Sequence, residues 1–563
     1  MSKSVAHGIY EVLRKNAVSR VYCVPGESFL ALLNEFADPN GPELITTRHE
    51  EGAGLMAEAH AKLTGEVGTV LVTRGPGLTH LAIALHTAKQ DSTPLVAFVG
   101  QVPTGVKYRE AFQELDIMLF GASVAKWSVE ISSAERAVEL VEKAYRIAKS
   151  GRPGPVVISL PEDIDRGQLN RVQEWEASNI IETVSLSLPS AQTSQLVSSS
   201  VRPAIIVGRP VQGQPAVRAA VEALALALNA PVYNAWRRFD SFDNCHTHFA
   251  GNIPILSRES SDHLRSADVV ILVDDRLDEF TSLSYTIPSA NQNVVMIGGE
   301  RSGLEKPADY AHFLSELAGA VRDQNNSLLR SDKFRATAVG LHCQYTARGN
   351  GDQILTLGET HPASFAQAFA ESLPYDAIVT SDAGTFASWL YRACSFTNAM
   401  RFLGPTAGGM GYALPSAIAA RMAQTKVPVY AIVGDGGFTM TMSELETGRR
   451  HGLEGIGIFV FDNEMYGTIA AHQDRHFPGR RVGIELGPID YRAVASGFGW
   501  EFRSATTAED IATIVNEVAE QRTRILVHVP ISKMDLNPLG FSWPERRLDS
   551  KNRNHRIMEE GAR

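Results

Sequence analysis

The chain has 563 residues, 44% of them hydrophobic, which is room for three or four domains with substantial cores and excludes a small stapled scaffold. A formal charge of −10, with no long Lys/Arg block, excludes a surface that tracks a phosphate backbone, so no nucleic-acid partner is expected. Cys23, Cys245, Cys343 and Cys394 are scattered without CxxC spacing, which argues against a zinc or iron–sulfur site and for a reduced compartment; no apolar run has membrane length, so the expectation is a cytoplasmic protein with no membrane partner.

In chain order, Met1 to Val18 has the pattern of an amphipathic helix bearing Glu11 rather than a secretory core. After Val24-Pro-Gly-Glu-Ser28, the strand-like Glu43 to Thr47 leads into Arg48-His-Glu-Glu-Gly-Ala-Gly54, which opens a helix through Leu63. Read alone, the acidic pair Glu50-Glu51 suits the positive end of that helix. Val67 to Thr73 is a buried strand, and Arg74-Gly-Pro-Gly77 a turn where Gly75 and Gly77 permit close backbone approach. A helix over Ser133 to Ser150 then runs into Gly151-Arg-Pro-Gly-Pro-Val-Val-Ile-Ser-Leu-Pro161.

The Ser/Gln-rich stretch Ser185 to Ser200 has the composition of a linker, Pro203 to about Val321 forms a second α/β block, and Gln324 to Thr356 is a second loose segment. Near the C-terminus, Ala508 to Glu520 followed by Arg524-Ile-Leu-Val-His-Val-Pro530 repeats the helix–strand–Pro pattern of 133–161, the trace expected of two α/β domains of similar topology. The fold class is therefore α/β, with three doubly wound domains over 1–184, 185–345 and 346–535 and a polar tail over 536–563.

The chemistry concentrates in the third block. Val427 to Val433 is an apolar strand ending in Val433-Gly-Asp-Gly-Gly437, and 26 residues separate Gly436 from Asn463 at the end of a second strand, Ile456 to Phe461. A helix from about Met442 to His451 between them makes a βαβ crossover, which sets the two strand ends side by side. One carboxylate at Asp435, one amide oxygen at Asn463 and a carbonyl near Met465 form half of a Mg²⁺ shell, a half-site that diphosphate oxygens complete. Upstream, Ser381-Asp-Ala-Gly-Thr385 and Gly408-Gly-Met-Gly-Tyr-Ala-Leu-Pro415 are glycine turns whose N–H groups suit phosphate oxygens.

These motifs, in this order, resemble the thiamine diphosphate (ThDP) enzymes, and more narrowly the acetolactate synthase-like group of 2-oxo acid carboligases and decarboxylases. The resemblance names the blocks as pyrimidine-binding, middle and diphosphate-binding domains. It implies that Asp435, Asn463 and the Met465 carbonyl hold Mg²⁺, that Glu50 faces N1′ of the aminopyrimidine, and that Pro25, Gly26 and Pro76 pack near that ring. By the same register Gly384, Thr385, Gly408, Gly434, Gly436, Gly437, Tyr466, Gly467 and Thr468 border the diphosphate and metal, and Met410 props the cofactor into its bent form. Gln101-Val-Pro103 and Ala111-Phe-Gln-Glu-Leu-Asp116 match the loop that carries an active-site Gln, here Gln113.

The implied reaction is decarboxylation of a pyruvate-like 2-oxo acid and transfer of the acyl-carbanion equivalent to a second carbonyl, in a homodimer at least and a homotetramer by expectation. Val482-Gly-Ile-Glu-Leu-Gly-Pro-Ile-Asp-Tyr491 resembles the FAD-free catabolic synthases. Glu27 departs from the synthase pattern, which has a small residue there, and as a proton donor it would favour the alternative outcome, aldehyde release. FAD in the middle block is the lesser expectation: Asp274-Asp-Arg-Leu-Asp-Glu-Phe-Thr281 partly matches an FAD-contacting stretch, with Arg276 and Asp278 in register, but Val207-Gly-Arg-Pro210 lacks the glycines a dinucleotide needs. An FAD-dependent oxidoreductase and a catalytically silent ThDP-fold protein are the alternatives of another class.

Overall fold

The computed structural model describes residues 3–169, 188–209, 214–298, 307–323, 332–350, 361–521 and 523–534. The expected tail, Pro210, the first residues of the expected linker, and 324–331 and 351–356 of the loose segment lie outside the described residues. The chain forms two compact units: Met1–Ser185 with Ile354–Cys394 and Ala399–Asn537, and Leu186–Gln353 with Ser395–Asn398 and Pro538–Arg563.

The N-terminal sheet is built from β1 (Arg20–Cys23), β2 (Glu43–Thr46), β3 (Gly68–Thr73), β4 (Leu95–Gln101), β5 (Trp127–Glu130) and β6 (Pro155–Pro161), all parallel, in the order β2-β1-β3-β4-β6-β5. Every residue of β4 and β6 is buried, as their unbroken apolar sequence requires of strands covered on both faces. Helix α1 (Glu50–Thr64) follows β2, and α2 (Arg74–Asp91) follows β3 without a connecting turn. Arg74-Gly-Pro-Gly77, expected as a turn, is thus the first turn of α2, where the missing N–H of Pro76 has no intrahelical partner to lose.

In the second unit, β7 (Pro203–Val207), β8 (Val232–Asn234), β9 (Phe249–Asn252), β10 (Val269–Val273) and β11 (Asn293–Ile297) form a parallel sheet in the order β9-β8-β7-β10-β11. Two segments expected as loose chain contain helices instead. Helix α3 (Ala191–Ser198) is capped by Ser190, whose hydroxyl accepts the Thr193 N–H at 3.0 Å, and it buries Val197. Helix α4 (Asp332–Asn350) stacks Phe334 on His263 with ring centroids 4.2 Å apart and sets His342 edge-on to Phe249. Its polar sequence lacks a clean apolar stripe, so tertiary packing rather than periodicity makes it a helix.

The C-terminal sheet comprises β12 (Ile378–Ser381), β13 (Arg401–Leu403), β14 (Val429–Gly434), β15 (Ile456–Asp462), β16 (Glu501–Ser504) and β17 (Arg524–Pro530), ordered β13-β12-β14-β15-β17-β16. This is the winding of the N-terminal sheet, and β6 and β17, the strands of the repeated sequence pattern, occupy equivalent places. Helix α5 (Ala413–Ala423) precedes β14 and packs on α1, so Ala53, Leu55 and Met56 share one buried cluster with Leu414, Ala417 and Ile418. Between β14 and β15 an additional helix, α6 (Asp435–Thr441), starts directly at the strand end, and α7 (Glu444–Arg450) is the helix expected over about 442–451. Helix α8 (Gly467–His476) follows β15.

Candidate active site

Strands β14 and β15 are adjacent and parallel, with Gly434 paired to Phe461, so Asp435 and Asn463 emerge from neighbouring strand ends. Asp435 opens α6, and its carboxylate accepts the N–H of Gly436 at 2.7 Å and of Met465 at 3.2 Å. The second bond brings the 463–468 segment against the Gly-Asp-Gly turn. The Met465 carbonyl accepts the Gly467 N–H at 2.9 Å, leaving it one further lone pair. Burial pushes Asp435 up to about 7, and neighbouring Asp462 adds to the rise. Asp462 itself is held below the usual carboxylate range: burial opposes this most strongly, but the His528 ring, 3.0 Å from its Oδ2, the Glu464 N–H and Asp435 together outweigh burial. The buried Asp435 carboxylate and the free lone pair of the Met465 carbonyl are hard oxygen donors brought together at one strand end, so the donor set fits Mg²⁺.

The glycines mark where backbone must come close. A Cβ on Gly437 would stand 2.0 Å from Oδ2 of Asp382, and one on Gly436 would stand 2.8 Å from the Tyr466 ring and 3.2 Å from the Met410 methyl. Met410, Gly436 and Tyr466 are therefore brought together. Asp382, fully buried, binds the N–H of Gly411 at 2.9 Å and of Ala413 at 2.7 Å, which ties the 381–385 turn to the 408–415 turn. Gly384 and Gly434 both pack on Phe386, and the Thr385 N–H donates to the Thr468 hydroxyl at 3.1 Å, so these four motifs form one cluster. Gly408 lies exposed in a left-handed conformation, φ +70°.

On the N-terminal side, Glu50 is the first residue of α1 and only 8% exposed. Its Oε2 is 2.8 Å from Nδ1 of His80, and its Oε1 lies 3.6 Å from the point where a Gly77 Cβ would stand. Gln113 is left-handed (φ +63°), accepts the Gly75 N–H at 3.0 Å through its carbonyl, and borders a cavity of about 840 Å³ with Gln101, Lys107 and Glu130. Glu114 holds that loop by accepting the N–H groups of Tyr108 and Ala111 at 2.6 and 3.0 Å. Pro25 and Pro76 are exposed, and a Cβ on Gly26 would meet Thr73.

Glu27 is not enclosed. Its side chain is 66% exposed, and its Oε1 is tied to the buried Arg74 guanidinium at 2.9 Å.

Several residues that sequence reasoning left without a role shape this region. Glu444, fully buried at the start of α7, accepts the N–H groups of Arg48 and His49 at 3.1 and 3.0 Å, so it joins the start of α1 to the C-terminal domain. Burial, with Asp382 and Glu444 adding to it, pushes Glu51 up to about 7, and burial does the same to Glu444. Asp382 stood in a quoted motif at a strand end, which was its signal; Glu444, Asp462 and His80 carry none that a single sequence exposes.

In the middle domain the strand order reverses between β7 and β10, where a dinucleotide would enter. There Arg209 pairs with Asp274 through two bonds of 2.9 and 2.7 Å, and Gly208 packs on Asp274 and Asp275.

Comparison with known proteins agrees with this division. Residues 3–120 match the family model for the N-terminal TPP binding domain of thiamine pyrophosphate enzymes, residues 191–317 the central domain, and residues 382–529 the C-terminal TPP binding domain. Thiamine pyrophosphate is the same cofactor as ThDP. The acetolactate synthase isozyme 2 large subunit of Escherichia coli K12 is 26% identical over 96% of this chain and 98% of its own. The acetolactate synthase large subunit of Lactococcus lactis is 26% identical over 94% and 92%, and the catabolic acetolactate synthase of Raoultella terrigena 26% over 95% and 96%. With three family domains in the same order as the three parallel sheets, the chain belongs to the thiamine pyrophosphate enzymes and is of their acetolactate synthase type.

Proposed function

We propose that the protein is a ThDP- and Mg²⁺-dependent carboligase that decarboxylates a pyruvate-like 2-oxo acid and joins the remaining acyl unit to a second carbonyl. The observation that carries this reading is similarity to acetolactate synthases over more than nine-tenths of both chains. When bound, ThDP supplies the electron sink that takes up the pair released as carbon dioxide leaves. Asp435, Asn463 and the Met465 carbonyl hold the Mg²⁺ that binds the diphosphate. The glycine turns at 384, 408, 434, 436 and 437 let backbone approach it, with Thr385, Tyr466, Gly467 and Thr468 around it. Met410 supports the cofactor's bent form, Glu50 holds a proton at the aminopyrimidine N1′, and Gln113 orients a carbonyl.

The ion pair of Glu27 supports carboligation over aldehyde release, since Arg74 holds the carboxylate in place rather than leaving it free to reach a substrate. The Arg209–Asp274 pair supports a middle domain without FAD. The exposed apolar side chains Tyr108, Phe112, Leu119 and Phe477 support a homodimer as the minimum active unit, with a homotetramer as its usual extension. No helix among the described residues is long and apolar enough to cross a membrane, and the scattered free cysteines support a cytoplasmic location.

The test is mass spectrometry of products from pyruvate alone and with a second 2-oxo acid, using protein reconstituted with ThDP and Mg²⁺. Acetohydroxy acids are expected, and aldehyde as the sole product would overturn carboligation. Glu50→Gln should still bind ThDP yet lose roughly 10² to 10⁴ in rate, the scale of a general acid–base contribution.

A further inference from the structure

Helices α1 and α2 start at the same edge of the N-terminal sheet and pack together, which sets Glu50 of the first against His80 of the second. The carboxylate side chain is buried and the imidazole half exposed, 11% against 51%, so the ring stands between Glu50 and the outside. In the tautomer with its hydrogen on Nδ1, the His80 ring donates to Glu50 Oε2 at 2.8 Å. His80 is itself held in place: the His49 ring stacks on it, centroids 4.6 Å apart and planes 29° apart, and His49 is fixed because its Nδ1 accepts the Glu51 N–H at 3.2 Å as the cap of α1.

The ligand atoms of His49, Glu50 and His80 all lie within 4.8 Å of one another, the spacing of a metal cluster. The geometry argues against that use. One nitrogen of His49 is committed to the cap, and lone pairs in two nearly parallel ring planes do not converge on one ion at about 2.0–2.1 Å. Hydrogen bonding is the chemistry these three side chains are arranged for.

We infer that His80 is the positioning residue for Glu50: it occupies Oε2, so that Oε1, above the Gly77 turn, is the oxygen left for a bound aminopyrimidine. This rests on the reading of Glu50 as the residue that faces the cofactor. Because Glu50 has its carboxylate at the very start of α1, with no i−4 turn beneath it to restrict its rotamer, an external hydrogen bond is what fixes its direction.

Two measurements test the role without turnover. In the apo-protein labelled with ¹⁵N-histidine, the imidazole signals that disappear in His80→Gln belong to His80; these should move in Glu50→Ala while the other histidines outside the His49 stack do not. In protein loaded with ThDP and Mg²⁺ but no substrate, hydrogen–deuterium exchange at thiazolium C2 should slow about 10- to 100-fold in His80→Ala, the scale of one charge-assisted hydrogen bond. His80→Gln, which keeps a side-chain N–H donor, should recover most of that loss, whereas a merely structural role would not distinguish the two variants. Wild-type exchange in His80→Ala, or unmoved His80 signals in Glu50→Ala, would overturn the assignment. Unchanged exchange in Glu50→Gln would instead overturn the cofactor role of Glu50 itself, an outcome the apo-protein signals tell apart.

Discussion

Nη1 of Arg74 lies 2.9 Å from Oε1 of Glu27, and the other amino group of the same guanidinium lies 3.0 Å from Oε2 of Glu162. Arg74 is buried and left-handed (φ +36°) at the head of α2, so the backbone fixes where its charge sits. The pairing holds the Glu27 carboxylate on Arg74 rather than leaving it free to approach a substrate. Glu27→Gly should therefore leave the ratio of aldehyde to hydroxyketone from one 2-oxo acid unchanged. Arg74→Met, which frees the Glu27 side chain from its partner, should raise the aldehyde share. A shift toward carboligation in Glu27→Gly would restore the proton-donor role.

Asp435→Ala removes a charged donor from the metal half-site together with the acceptor that holds the Met465 N–H. ThDP affinity at fixed Mg²⁺ should fall by more than about 100-fold, beyond the upper end of what losing an outer-shell partner costs. Titration of the apo-protein, followed by quenching of tryptophan fluorescence, measures it. Wild-type affinity in this variant would sink the metal assignment.

Lys62 Nζ sits between two fully buried carboxylates, 2.9 Å from Glu58 and 2.5 Å from Asp91, and also reaches the Gly404 carbonyl at 3.2 Å. Lys62→Met leaves both acids buried without their cation, and should destabilise the protein by about 3–5 kcal/mol. Urea denaturation checks this, and Asp91→Asn in the same chain should return part of the loss. A midpoint equal to that of the wild type would show that the acids are neutral in the folded state.

Glu51 and Glu444 have folded-state values raised from 4.5 to about 7, so the folded protein holds their protons more tightly than the unfolded chain does. The sign follows from that difference: their contribution to stability is present in full below about pH 4.5 and is lost as pH rises through about 7. Denaturation midpoints of the apo-protein should fall across this window, and Glu51→Gln should flatten the fall. A variant as steep as the wild type would exclude Glu51 as a source.

The sequence by itself determined the parts whose physics is local. Largely apolar runs marked β3, β6, β14 and β15, because strands covered on both faces need no polar alternation. The Gly-Asp-Gly turn and Asn463 announced adjacent strand ends, because a short βαβ crossover leaves few alternatives, and the repeated helix–strand–Pro pattern foretold two sheets of one winding. Tertiary structure alone decided what depends on neighbours distant in the chain. Polar composition made 191–198 and 332–350 look like linkers, yet packing made them helices; the Gly-Asp-Gly strand end, read as a turn, wound into a helix of its own over 435–441 ahead of the expected one. The partners of Glu27, Glu50 and Asp435, namely Arg74, His80 and Asp462, lie 47, 30 and 27 positions away. Side-chain pairing at such separations is set by which helix starts meet at a sheet edge, and the charge state of a carboxylate follows from that meeting rather than from the residue's own sequence context.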